Sequence, residues 1–306
     1  MTTSFEQGVS FGTIIQGKWH KREYRVERLL GEGANGKVYL VRRGKQTYAL
    51  KIGFDTVDHQ SEVNALKALS KSNTSFRHYL LDVDDFHYQG RELPFCVMRY
   101  VKGQTMSDFV IQRGQDWVYI IGTNLLRKLV ELHGQRYIFG DLKVENMLVS
   151  GYGDVELIDF GGVTPMGRSV KQFTVVYDRG YWGGGSRSAD EAYDLFAFAV
   201  LLISGTATAA VRKQGLQQVL PQNRNVHTLL DMLHANKHLS HVEPVLRKAL
   251  MGQYASSGEA LAEWRKQSYP RPVLAARAMR GSMLKLCFAA SLLLFGFTVY
   301  LFWPLP

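Results

Sequence analysis

FGDLKVENMLVSGYGDVELIDFG, from Phe139 to Gly161, is the stretch on which the reading of this chain turns. It holds an acid, Asp141, then Lys143 and Asn146, and closes on a second acid inside Asp159-Phe160-Gly161. A carboxylate can accept the proton of an attacking hydroxyl, and carboxylate and amide oxygens are the ligands that a hard divalent cation takes. Acids and amides also gather in ordinary surface loops, so the spacing from Asp141 to Asn146 is weak alone. The second acid strengthens it. The stretch then demands a phosphate cradle elsewhere in the chain.

Such a cradle stands upstream. Tyr24 to Gly31 alternates loosely and reads as a strand, Gly31, Gly33 and Gly36 form G-x-G-x-x-G, and Lys37 to Val41 reads as the returning strand. The glycines therefore sit at the bend of a hairpin and do not open a helix, which separates them from a dinucleotide-binding turn. Gln46 to Ile52 is a third strand carrying Lys51, and His59 to Ser70 places Val63, Leu66 and Leu69 on one helical face with Glu62 beside it. Glu62 can reach back to Lys51 and hold its ammonium toward phosphates. Phe95 to Arg99 is a further apolar strand, followed by Tyr100 to Gly103. Asp116 to His133 has helical periodicity and delivers the chain to the opening stretch. Asp194 to Ile203 is apolar nearly all round, a buried helix too short to span a bilayer. Val211 to Gln267 reads as short helices.

In order and interval these features resemble the protein kinases, whose pattern is H-R-D-L-x-x-x-N followed by D-F-G, with a glycine-rich loop and a strand lysine upstream. The resemblance covers roughly residues 24 to 267 and implies an α+β, two-lobed fold: a β-rich lobe over 24–99 and a helical lobe over 104–267. It implies ATP and Mg2+ as cofactors, with Mn2+ left open. It assigns Asp141 as the catalytic acid and Lys143 to the transferred phosphoryl group. Asn146 and Asp159 become the metal ligands. Leu30, Gly31, Gly33, Gly36, Val38, Ala49, Lys51, Glu62, Met98 and Val101 become the nucleotide site, with Met98 as gatekeeper and Val101 offering backbone bonds to adenine. Asp194 would tie down the backbone of the catalytic loop. FGDLK, IDFGG, YDRGYWGGG and YDLFAFAV narrow the resemblance to the membrane-anchored YabT-type serine/threonine kinases of spore-forming Gram-positive bacteria. Protein substrates and autophosphorylation follow, and Lys143 favours Ser/Thr over Tyr acceptors.

Three departures stand out. Phe139-Gly140 replaces His-Arg, so no arginine precedes the acid to meet an activation-loop phosphate. Gly185 stands at the A-P-E glutamate, and no arginine occurs in Gln253 to Ser256 to partner one. Asp178 is read as occupying the place of a threonine that touches the catalytic acid, where a like charge would alter substrate positioning. The polar loop from Gly162 to Gly185 otherwise offers Thr164, Ser169, Thr174 and Tyr177, and Arg179 is the first basic residue expected to read a phosphate there. Two other readings compete. Gly140-Asp141 resembles the H-G-D of aminoglycoside phosphotransferase-like folds, a small-molecule alternative. A pseudokinase scaffold binding DNA or membrane is the other.

Composition sets the context. The chain has 306 residues, 46% hydrophobic and 21% charged, a globular balance. Two distant cysteines, Cys96 and Cys287, exclude a disulfide framework and fit a reducing cytoplasm. No paired Cys/His spacing suggests a structural metal, and the nine histidines read as surface or core residues. The formal charge of +10 favours anionic partners: anionic lipids first, nucleic acid through the same basic surface as a further partner. A homodimer is left open. Basic residues concentrate in Lys18, Lys21, Arg22, Arg25 and Arg28, and again from Arg265 to Lys285. Residues 1–23 read as an N-terminal extension without a signal-peptide core. Residues 268–285 read as a basic linker, with Pro270 and Pro272. Leu286 to Trp303 carries no charge and reads as a transmembrane helix. Arg277, Arg280 and Lys285 precede it and no charge follows, so the positive-inside rule puts residues 24–267 in the cytoplasm and Pro306 outside. With only Pro304 to Pro306 beyond it, no external ligand-binding domain is expected.

Overall fold

Alternating apolar residues build a six-stranded antiparallel sheet in the first hundred residues. In this computed structural model the described residues are 8–33, 35–206, 216, 219–220, 223–268 and 274–302, with the side chains of 274–284 excepted. The strands are β1 (Ile14–Gln16), β2 (Glu23–Gly33), β3 (Gly36–Arg43), β4 (Gln46–Gly53), β5 (Leu80–Tyr88) and β6 (Arg91–Arg99). Their order is β1-β2-β3-β4-β6-β5. One face buries Tyr24, Val26, Tyr39, Val41, Leu50, Ile52, Phe95 and Val97 together. β1 lies in the stretch read as an N-terminal extension, yet Val9 and Ile15 are buried in that same core. The domain therefore starts earlier than its motifs do.

Helix α1 (Thr56–Ser70) crosses the other face and buries Val63, Leu66 and Leu69. It begins three residues before the first expected position because Asp55 caps it, accepting from Val57 N at 2.8 Å and Asp58 N at 2.9 Å. After β6 the chain passes through residues 100–104, where Gln104 and Val149 exchange backbone hydrogen bonds of 3.0 and 2.8 Å.

The rest of this unit is mainly helical. It contains α2 (Met106–Arg113), α3 (Trp117–Gly134), the short pair β7 (Tyr137–Ile138) with β10 (Thr164–Pro165), the pair β8 (Met147–Ser150) with β9 (Asp154–Leu157), and α4 (Glu191–Gly205). Helices Val226–His234, Glu243–Leu250 and Ser257–Ser268 follow. Residues 211–215, 217–218 and 221–222 of the stretch expected to form short helices lie outside the described residues. α4 is buried from Tyr193 through Ile203, as its unbroken apolar run requires. β8 and β9 present the opening stretch of sequence as a hairpin whose two ends, Asn146 and Ile158, are joined by a backbone bond of 2.9 Å.

Residues 266–306 form a separate unit. Its described residues are 266–268, the end of the helix Ser257–Ser268, and a second helix, Leu274–Phe302, of which Lys285–Phe302 is long and apolar enough to cross a membrane and is exposed throughout. The expected linker over 268–285 is therefore helical from Leu274 onward. Ala275, Ala276, Arg277, Ala278, Met279 and Arg280 are strong helix formers, and no proline follows Pro272 before the apolar run. Trp303 lies outside the described residues.

Candidate active site

The cleft is lined from above by β3, β4 and β6. In their register Val38 faces Lys51, Lys51 faces Cys96, and Ala49 faces Met98, so Val38, Ala49, Lys51 and Met98 share one face of the sheet. Leu30, Val38, Ala49 and Val101 are half-buried and Met98 is buried. Gly33 pairs with Gly36. A side chain on Gly36 would collide with the carbonyl of Ile52, so close packing of β3 on β4 requires glycine there. A side chain on Gly31 or Gly33 would meet nothing within 4 Å, so those glycines leave open the face a phosphate group would use.

Lys51 joins sheet, helix and loop. Its ammonium lies 2.8 Å from Glu62 of α1 and 2.7 Å from Asp159. Burial works against the charged lysine, but Glu62 and Asp159 outweigh it and raise its pKa. Asp159 is likewise pushed upward by burial and is held below the usual carboxylate range by Lys51. Its backbone is left-handed, at φ 61° and ψ 87°, a conformation costly for a residue with a side chain and held here by the turn at Phe160–Gly162. Phe160 packs edge-on against Phe76 and Phe139, with centroids 5.9 Å away in both cases, and Tyr79 lies tilted at 4.8 Å. The phenylalanine that replaces histidine at position 139 thus becomes a packing partner for the ring beside Asp159.

Below the cleft, Asp141 is buried within a ring of donors. Its Oδ2 accepts from Lys143 Nζ at 2.7 Å and Asn146 Nδ2 at 3.1 Å, while its Oδ1 accepts from the Thr174 hydroxyl at 2.8 Å. Lys143 also donates to Thr174, at 3.2 Å. The hydrogen bonds that the Asn146 side chain makes to Asp141 use Nδ2, so its Oδ1 is the atom that could hold a cation. With the Asp159 carboxylate this gives hard oxygen donors of the kind a divalent metal needs.

Thr174 was missed as a site residue in the sequence, and Asp178 was put in its place. The structure corrects this. Asp178 does not touch Asp141; it is fully buried and held by Arg187 at 2.7 Å, the Tyr193 hydroxyl at 3.0 Å and Gly180 N at 3.2 Å. No like charge faces the acid from that position. Arg179, expected as a phosphate reader, is committed to Asp190 at 2.6 and 2.8 Å and to the carbonyls of Ser186 and Ser188.

Asp194 accepts from Phe139 N at 2.6 Å and Gly140 N at 2.9 Å, and so fixes the backbone leading to Asp141. His133 of α3 donates to the same carboxylate at 2.9 Å. Burial opposes a charged His133, but its hydrogen bonds to the Asp194 and Glu191 carboxylates together with their charges carry its pKa up to about 9. Glu191 in turn accepts from Ser257 N at 2.6 Å and Ser257 Oγ at 2.7 Å. A neutral serine thus makes a tie to the late helices close to where an arginine and a glutamate were both found missing.

Comparison with known proteins decides the family. Residues 24–251 match the protein kinase domain. The chain belongs to the protein kinase family. This kinase is 36% identical to the serine/threonine-protein kinase YabT of Bacillus subtilis, over 84% of this chain and 75% of that protein. It is 28% identical to serine/threonine-protein kinase Aurora-1 of Arabidopsis thaliana, over 48% of this chain and 52% of that one. A probable casein kinase I homologue of Encephalitozoon cuniculi is 25% identical over 71% of this kinase and 76% of its own length. The kinase is a protein serine/threonine kinase of the bacterial Hanks type, resembling YabT. Its family uses ATP and a divalent metal.

Proposed function

We propose that this kinase transfers the γ-phosphate of ATP, with Mg2+, to serine and threonine hydroxyls of proteins, itself included, while anchored in the cytoplasmic membrane. The observation that carries the reading is the single constellation in which Lys51 joins Glu62 and Asp159 while Asp141, Lys143, Asn146 and Thr174 converge on one another. Lys51, held by Glu62, holds the α- and β-phosphates, and the glycine loop covers them with backbone amides. Leu30, Val38, Ala49, Met98 and Val101 enclose the adenine. Asn146 Oδ1 and Asp159 would hold Mg2+, which when bound would offset the charge of the phosphates. Asp141 orients the acceptor hydroxyl and takes its proton. The hydroxyl oxygen forms the new bond to the γ-phosphorus as the bond to the bridging oxygen breaks, and ADP leaves with that electron pair. Lys143 faces the transferred group, and Thr174 fixes the Asp141 carboxylate beside it.

The apolar helix supports the anchoring. Lys285–Phe302 is apolar and exposed along its length, and Arg277 and Arg280 precede it while Lys285 opens it. By the positive-inside rule the kinase domain is cytoplasmic and the far end of the helix lies outside. The basic residues near the membrane add about 1 kcal/mol each in attraction to anionic headgroups. The test is phosphorylation of casein by the purified full chain with labelled ATP, with and without Mg2+. Label on serine and threonine that depends on Mg2+ supports the reading, and a chain inert toward every protein acceptor and toward itself contradicts it.

A further inference from the structure

The kinase pattern would put an arginine at residue 140 to meet an activation-segment phosphate, and this backbone has no room for one. Gly140 lies at φ +78°, and a Cβ there would stand 2.5 Å from the carbonyl oxygen of Gly162. Something else must hold the segment that carries Thr174. Two of its cations are committed elsewhere: Arg179 is bound to Asp190, and Lys171 donates to Ser61 of α1 at 2.5 Å. Arg187 is placed differently, because it touches both arms of the segment. Its Nε and terminal nitrogen both reach Asp178 Oδ2, at 2.8 and 2.7 Å, and Asp178 is completely buried. The face of the same guanidinium covers the ring of Phe173 at 4.3 Å. Its carbonyl accepts from Val170 N at 2.9 Å, within a short antiparallel clip in which Gly167 N reaches Ala189 O and Ala189 N reaches Arg168 O. Phe173 immediately precedes Thr174, whose hydroxyl lies on Asp141.

We propose that Arg187 is the built-in cation that sets the shape of the activation segment, positioning Thr174 and through it the acceptor hydroxyl, in place of a phosphate bound through residue 140. The proposal rests on the kinase reading above. Arg187 is a positioning residue: it touches neither nucleotide nor reacting atoms. The arrangement calls for arginine in particular. A planar guanidinium can present its edge to a carboxylate and its face to an aromatic ring at once, and an ammonium cannot. The segment would then be assembled as the chain folds, and the kinase would not need a prior phosphorylation to accept a substrate.

The test compares the full-length wild type with Arg187→Ala, Arg187→Lys and the double variant Asp178→Asn/Arg187→Ala. Four quantities are measured: casein turnover, binding of a fluorescent ATP analogue, thermal midpoint, and the rate of tryptic cleavage after Lys171. Arg187→Ala is expected to lower casein turnover by up to the roughly fivefold loss expected of Thr174→Ala, through which it acts, to speed cleavage, and to leave nucleotide binding unchanged. Arg187→Lys keeps the ion pair but loses the stacked face, so it should hold the midpoint while restoring turnover only in part. The double variant removes the stranded carboxylate and should recover the midpoint without recovering turnover. Turnover that returns together with the midpoint would reduce Arg187 to a purely structural residue and overturn the proposal. Wild-type turnover and cleavage rate in Arg187→Ala would overturn it as well. A wild type inert on casein would count against the kinase reading, whereas the cleavage comparison judges the clamp independently of any activity.

Discussion

In the proposed mechanism Asp141 and Lys51 divide the work of the site between proton and phosphate, and their surroundings predict different outcomes for their loss. Asp141 sits among donors that survive its conversion to an amide, so Asp141→Asn should keep the fold and nucleotide binding yet lower phosphotransfer by about 10²–10⁴-fold. Lys51→Ala removes the ammonium shared by Glu62 and Asp159. It should abolish transfer and also weaken binding of the ATP analogue, which an equilibrium titration would separate from the first case. Thr174→Ala deletes one hydrogen bond to Asp141, worth ~1 kcal/mol, and should slow turnover roughly fivefold at unchanged nucleotide affinity. Replacing Thr164, Ser169 and Thr174 together should therefore be no less damaging than Thr174→Ala alone, because Thr174 acts through its hydroxyl and not as a phosphate acceptor. Lys51, Glu62, Asp141 and Asn146 were legible in the sequence because short spacings tie each to a strand, helix or loop. Thr174 was not. The 12 residues between Phe160 and Phe173 have no periodicity, and only closure of the segment on Asp141 shows which residue arrives there.

At the scale of elements, α3 and α4 are locked to the catalytic loop by His133, Asp194 and Glu191, and that lock titrates. The His133 pKa rises from 6.5 to about 9 on folding, so its contribution to stability is complete below about pH 6.5 and is lost as pH climbs through 9. Its hydrogen bond with Glu191, aided by Ser257, takes that carboxyl from 4.5 down to about 2 despite opposing burial. That contribution is complete above pH 4.5 and is lost as pH falls through 2. The thermal midpoint should fall between pH 6.5 and 9 in the wild type, and this part of the fall should vanish in His133→Gln. In the sequence His133 was one of nine histidines without a distinguishing pattern; its partners are 58 and 61 residues away. Gly140 makes a second prediction. Gly140→Arg restores a familiar residue type but forces a left-handed backbone and a carbonyl clash. It should destabilise the kinase by about 1–3 kcal/mol and confer no phosphate-dependent activation, as read by denaturant melts and by activity before and after phosphatase treatment. β1 and β5 escaped notice for a related reason. β1 is only three residues long, and β5 carries Asp82 and Asp84 at buried positions, where hydrogen bonds from the Tyr24 hydroxyl and the His20 backbone, and not apolar alternation, hold the strand.

For the molecule as a whole, the two-lobed architecture was legible because its motifs fall in order along the chain, while the junction with the apolar helix was not. Two prolines made residues 268–285 look like a linker, yet the alanine-rich run after Pro272 is helical. The membrane proposal predicts that truncation after Gly281 yields a soluble kinase that binds the ATP analogue. If phosphorylation passes between molecules, the truncated chain should label itself more slowly when dilute and recover when concentrated, since the bilayer no longer raises its local concentration. The most direct measurement is transfer of label from γ-labelled ATP by the full-length chain, followed by identification of the labelled amino acids, run beside Asp141→Asn. The account predicts phosphoserine and phosphothreonine in the wild type and almost none in the variant. Equal labelling of the two proteins, or no labelling of any protein by the wild type, would contradict it.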